Sequence, residues 1–244
     1  MLELFTPQKI DLNFGLKQLF DEKLKSKVGK MRYNILYISA RPGLFFDRSH
    51  DATTEFSKHK MSYLMHKGHN VTGAYASTVA EFIETWNAIG KNELQNINKV
   101  IIDYHGAISP KRGYQSLIVI SPSELLDKHH ISMLENKPGV KVVSLYSCYS
   151  GFLEKYNPAV GFLGKLTAPD AHVVGFDAQG DNDMQRLKTV RHYDAGEQFD
   201  RALSALKINR LQLGRVKYSK IDKAEIMLQH YTGNIRRALS DYMC

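Results

Sequence analysis

The sequence predicts an α/β domain, a mostly parallel β-sheet with helices packed on both faces. Three observations carry this reading. Short apolar runs rich in Val and Ile recur at 33–39, 100–104, 140–147 and 171–177, and each reads as a buried strand. Between them lie stretches whose apolar residues recur at helical spacing. The two kinds of segment alternate along the chain, as they must when helices cover both faces of a parallel sheet.

Taken in order, residues 1–30 read as an N-terminal helical extension. Asp11 suits its cap, Leu12, Leu16, Leu19, Phe20 and Leu24 share one face, and Gly29 suits its stop. The first core strand spans 33–39, and a loop carrying Arg41 follows it. A helix over 51–66 turns Phe56, Met61, Leu64 and Met65 inward and ends at Gly68. A weaker strand over 69–75 precedes a helix capped by Thr78, with Glu81 at the capping-box position and Gly90 as its stop. The next strand ends at His105. Residues 107–123 form a loop or hairpin with an edge strand at 116–120. Pro122 opens a short helix over 123–130, which 131–136 extends. Pro138-Gly139 turns into the strand that ends at Cys148. Helix and loop fill 151–169, a strand covers 171–177, and the tail holds a helix over 195–207, a strand over 211–218 and a helix over 222–243. The resulting organisation is an extension at 1–30, a main domain at 31–190 and a C-terminal helical part at 191–244 packed on the same domain.

The 244 residues, 43% of them hydrophobic, suffice for one large core. No stretch approaches the roughly 20 apolar residues of a membrane span, so no transmembrane segment is expected. The first residues lack a basic region and a long apolar run, so no classical signal peptide is expected. Cys148 and Cys244 are the only cysteines, which excludes a disulfide framework and points to synthesis in a reducing cytoplasm. The net charge of +8 fits either a polyanionic partner or a plain basic surface. Its cations are scattered without interleaved aromatics, so specific nucleic-acid binding is not expected. Residues 161–167 lack the spacing of a phosphate loop, and His129-His130 and His50 lack the spacing of a zinc site. No cofactor and no metal is expected.

The chemistry gathers at two strand ends. Val100-Ile101-Ile102-Asp103-Tyr104 delivers His105-Gly106, and Val140 to Ser147 delivers Cys148-Tyr149-Ser150-Gly151. In open α/β sheets, ligands bind outside the carboxyl ends of the strands. Two neighbouring parallel strands would bring a thiol and an imidazole together there. A thiol becomes a nucleophile as the thiolate, and a nearby imidazole is the usual activator.

These two stretches, in this order and separated by 43 residues, resemble the caspase-like cysteine peptidases. That group holds caspases, metacaspases, legumain, gingipains and self-cleaving bacterial toxin domains. The Cys148-Tyr149-Ser150-Gly151 stretch looks like the metacaspase form. Trp86-Asn87 on the helix before the His strand is similar to the C-terminal domains of bacterial Rhs-type toxin proteins. The resemblance covers roughly residues 32–180. It implies a caspase-like three-layer sandwich and thiol-dependent cleavage of a protein or peptide substrate. Cys148 would be the nucleophile, His105 the general base or proton shuttle, and the amides of Gly106 and Cys148 the oxyanion hole, with no third catalytic residue.

For the substrate side chain, metacaspases keep an acidic residue two positions before the Cys, where this chain has Tyr146. Asp177 would instead bind a basic P1 residue and Arg41 an acidic one, leaving acidic, basic and small P1 residues open. The loop carrying Lys111 and Arg112 would line the cleft. Some bacterial toxin domains of this general fold are switched on by inositol hexakisphosphate. The resemblance therefore implies a polyanion activator, for which Lys188, Arg191, Arg210, Arg215 and Lys217 would supply charge. It further implies a bacterial effector or self-processing domain, secreted or delivered to a host cell without a classical signal. Two other readings fit the same residues: a non-catalytic caspase-like module that binds a partner, and a Rossmann-like domain for a polyanion or nucleotide.

Overall fold

A computed structural model describes residues 2–10, 32–42, 48–109, 115–151, 157–176 and 215–219. Its strands are β1 (Glu3–Phe5), β2 (Asn34–Ser39), β3 (Asn70–Tyr75), β4 (Lys99–Asp103), β5 (His105–Ser109), β6 (Gln115–Ser121), β7 (Glu124–Leu126), β8 (Val142–Leu145), β9 (His172–Phe176) and β10 (Arg215–Ser219). Its helices are α1 (Arg48–His66), α2 (Val79–Ala88), α3 (Lys128–Ser132) and α4 (Pro158–Lys165). Seven strands form one sheet in the order β1-β3-β2-β4-β8-β9-β10, and β5, β6 and β7 form a second. The five central strands of the large sheet are parallel, and β1 and β10 join its edges antiparallel.

The apolar runs become central strands because both of their faces are covered. Ile35 and Tyr37 of β2 pack with Met61 and Leu64 of α1. Leu36 and Ile38 point the other way, into a cluster with Phe82 and Trp86 of α2 and Phe162 and Leu163 of α4. The protein is therefore an α/β fold with helices on both faces of a mostly parallel sheet. Among the described residues no helix is long and apolar enough to cross a membrane.

Local chemistry sets where α2 begins. Thr78 Oγ1 accepts from the Glu81 amide at 3.1 Å, and Glu81 Oε2 accepts from the Thr78 amide at 3.2 Å, the expected capping box. Glu124 Oε2 adds a third cap by accepting from the Val79 amide at 2.6 Å.

Three expectations change. Residues 3–5, assigned to a helical extension, form an edge strand on β3. The Phe5 ring lies where a Cβ on Gly73 would sit, 2.2 Å from Phe5 Cζ, and stacks on Tyr75. Residues 123–136 do not form one helix. Pro122-Ser123 turns β6 into β7, and α3 starts only after Asp127, whose carboxylate accepts from the His130 amide at 3.1 Å. His105 does not close the strand before it; it opens β5 after a break at Tyr104, whose hydroxyl donates to the Ala76 carbonyl at 2.7 Å. The helices expected over 12–24, 195–207 and 222–243 lie outside the described residues, whereas the tail strand appears as β10.

A buried lysine locks the helical layer over α2. Lys137, 3% exposed, donates from Nζ to the carbonyls of Asn87 at 3.0 Å and Ile89 at 2.9 Å and to Glu135 Oε2 at 3.1 Å. The two carbonyls lie at the end of α2, where no intrahelical donor remains for them. Lys137→Met keeps the volume but strands both acceptors. It should lower stability by about 2–4 kcal/mol, read as a lower denaturant midpoint at unchanged slope. A parental midpoint would remove this role from Lys137.

Candidate active site

The carboxyl edge is organised by the pairing of β4 with β8. The parallel ladder runs from Lys99↔Val142 to Ile102↔Leu145, and the Tyr146 amide closes it by donating to the Ile102 carbonyl at 2.7 Å. His105 stands three residues past Ile102, and Cys148 three residues past Leu145. The two therefore leave neighbouring strands at the same level. On the other side β2 pairs Ile38 with Ile102, so Arg41 also stands three residues beyond that level.

Past that level the two chains stay in contact. His105 and Gly106 enter the second sheet, pairing with Val119 and Ile118. A Cβ added to Gly106 would lie 1.9 Å from the Cys148 carbonyl oxygen and 2.6 Å from its nitrogen. Only glycine permits that approach. On the far side of the same turn, a Cβ on Gly175 of β9 would lie 2.8 Å from the Gly151 nitrogen and 3.0 Å from Ser150 Oγ. The turn carrying Cys148 is thus gripped between two glycines. It is also tied to α4, because the Ala159 amide donates to the Ser150 carbonyl at 2.9 Å.

Within this grip the turn is locally strained. Tyr149 has φ +57°, a left-handed conformation that disfavours a bulky side chain. The Ser147 hydroxyl is buried and has no hydrogen-bond partner among the described residues. Such features persist where the surroundings over-determine the backbone, and they cluster at functional sites. Cys148, His105 and Tyr149 are half-buried. Burial pushes the Tyr149 phenol up, and the neighbouring Cys148 charge pushes it further. The arrangement offers a thiol, an imidazole at the same strand level, and two backbone amides on touching segments.

Beneath the edge lies a buried polar cluster that the sequence reading missed. One oxygen of Asp103, Oδ2, accepts from the Tyr37 hydroxyl, from Ser57 Oγ at 2.7 Å and from Lys60 Nζ at 3.2 Å. Burial raises the Tyr37 phenol well above its usual range, and the Asp103 charge adds to this, so the hydroxyl remains a donor. Lys60 also lies over the Tyr146 ring, 4.4 Å from its centroid. The available signal was Asp103 itself, a carboxylate inside an otherwise apolar run, which demands buried donors.

The remaining expected residues separate. Arg41 is exposed, and its guanidinium donates to the Glu3 carboxylate of β1. Lys111, Arg112, Asp177, Lys188, Arg191 and Arg210 lie outside the described residues, and Arg215 and Lys217 belong to β10. Among the described residues no group of three or more His, Cys, Asp or Glu is arranged to hold a metal ion. Compared with known proteins, the chain matches no protein-family model and no curated protein sequence.

The glycine grip is testable against an internal control. Gly106→Ala should cost about 1–3 kcal/mol, because backbone rather than a flexible side chain must move. It should also slow iodoacetamide alkylation of Cys148. Gly139→Ala, whose Cβ would meet nothing closer than 3.8 Å, should leave both properties near parental. Equal behaviour of the two variants would show that the Gly106 contact is not restrictive.

Proposed function

We propose that this domain is a caspase-like cysteine endopeptidase that cleaves peptide bonds through His105 and Cys148. The observation that carries the reading is the common level at which the two residues stand, each three positions past the paired residues Ile102 of β4 and Leu145 of β8, with Gly106 packed against the Cys148 backbone. In this reading the α/β core is the three-layer sandwich of that family, and its substrate is a protein or peptide presented at the carboxyl edge. A bacterial effector or a self-processing domain is the setting we propose for it.

Each step uses groups already at the edge. The Cys148 thiolate attacks the scissile carbonyl carbon. The carbonyl oxygen takes the negative charge and is met by the Gly106 and Cys148 amides, worth several kcal/mol when such donors are preorganised. The C–N bond then breaks, and the His105 imidazolium gives its proton to the leaving amine. The thioester left on Cys148 is hydrolysed by a water whose proton passes to His105. The acid product leaves and the thiol–imidazole pair is restored.

Two measurements test this. Cys148→Ala and His105→Ala should each lower hydrolysis of a peptide library, or self-cleavage, on the order of a thousandfold or more while the fold persists. Parental activity in either variant would overturn the assignment. Iodoacetamide near pH 6, read by mass spectrometry, should label Cys148 well ahead of Cys244, since an ordinary thiol titrates at about 8.5. Equal labelling would argue against an activated thiol.

A further inference from the structure

We infer that Lys60 is a positioning residue of this site, a buried staple that keeps the approaches to His105 and Cys148 in step. The inference rests on the reading of those two residues as a reactive pair. Asp103 lies two residues before His105, and Tyr146 lies two residues before Cys148. The two follow the paired residues Ile102 and Leu145, so they are neighbours on adjacent strand ends. The single ammonium of Lys60, on α1, meets both: Asp103 Oδ2 at 3.2 Å and the Tyr146 ring at 4.4 Å from its centroid. The side chains of Lys60 and Asp103 are 12% and 4% exposed, so both contacts operate where water screens little.

An apolar side chain could fill this space at lower desolvation cost, because a buried ion pair is often no more stable than well-packed hydrophobic residues. Direction is what the ammonium adds. Asp103, at the end of β4, is held by three donors from two elements, Tyr37 of β2 and Ser57 and Lys60 of α1. Tyr146 packs against the same cluster that contains Tyr37 and Met61. Lys60 therefore joins the residue that orients the His branch to the residue that launches the Cys branch. Displacements of about 1 Å in reacting groups are enough to cost a hundredfold in rate, so a staple at this point bears on the distance between thiol and imidazole.

The test compares the rate of Cys148 alkylation by iodoacetamide across roughly pH 5 to 9, the range in which imidazole and thiol titrate. His105→Ala defines the profile of an uncoupled thiol. The double variant Lys60→Met/Asp103→Asn removes the ammonium without leaving a buried carboxylate alone. It should melt close to the parent, yet its profile should move toward that of His105→Ala by about one pH unit, about tenfold less thiolate below the midpoint. Tyr146→Leu, which leaves the Lys60–Asp103 pair intact and removes the ring, should move the profile the same way and serves if the double variant does not fold. A parental profile in both variants overturns the positioning role while leaving the reactive pair standing. A parent whose own profile already matches His105→Ala overturns the pair, and the role of Lys60 with it.

Discussion

The pairing of β4 with β8 sets the height of every group at the carboxyl edge. Its register is enforced by what each residue of β8 faces. Val143 and Leu145 point into the cluster shared with α2 and α4, whereas Tyr146 packs with the cluster beneath α1. A slip of one residue would exchange these faces and offer Ser144 to the larger core in place of Leu145. Full burial of a Leu side chain is worth about 1.5–3 kcal/mol, and the slip would forfeit more than one such side chain. The core packing that makes the sheet stable thus also brings His105 and Cys148 out at one level, before any contact at the edge acts on them.

Much of the fold was legible because its signals are local. Central strands announce themselves as apolar runs, and the Thr78–Glu81 box marks the start of α2 from residue types and spacing alone. β1 was not legible: Glu3-Leu4-Phe5 carries too few residues for a period, and it is a strand only because Gly73 leaves room for the Phe5 ring. β7 was hidden for a related reason. Glu124 to Leu126 suits a helix start, and pairing with β6 overrides that preference. At the site, the order His then Cys and the small residue at 106 could be read directly. The grip from Gly175 and the cluster on Asp103 could not, since both join segments far apart in the chain. Strand order, which a single sequence does not encode locally, decides those neighbours.

The turn bearing Cys148 illustrates how a stable scaffold holds an unfavourable detail. A left-handed tyrosine and a buried hydroxyl with no partner among the described residues each oppose folding by roughly 1–3 kcal/mol. Around them, Gly106 and Gly175 bring two strand segments against the turn, and the first turn of α4 receives its carbonyl. Two lysines, one buried and one half-buried, divide the remaining work. Lys137 satisfies carbonyls that the end of α2 would otherwise leave bare, whereas Lys60 touches a carboxylate at the end of β4 and a ring just past the end of β8. A side chain of one type thus completes backbone hydrogen bonding in one layer and couples neighbouring strands in the other.

The brevity of β1 has a bearing on how copies of the molecule meet. Among the described residues, β3 would without it present a six-residue outer edge, including the apolar Val71 and Ala74, as a template for another chain. A three-residue strand occupies half that length and is itself too short to recruit a further one. Its Glu3 carboxylate and the facing Arg41 then set charge along the rim. Half of the β3 edge is in this way covered by the shortest strand of the sheet.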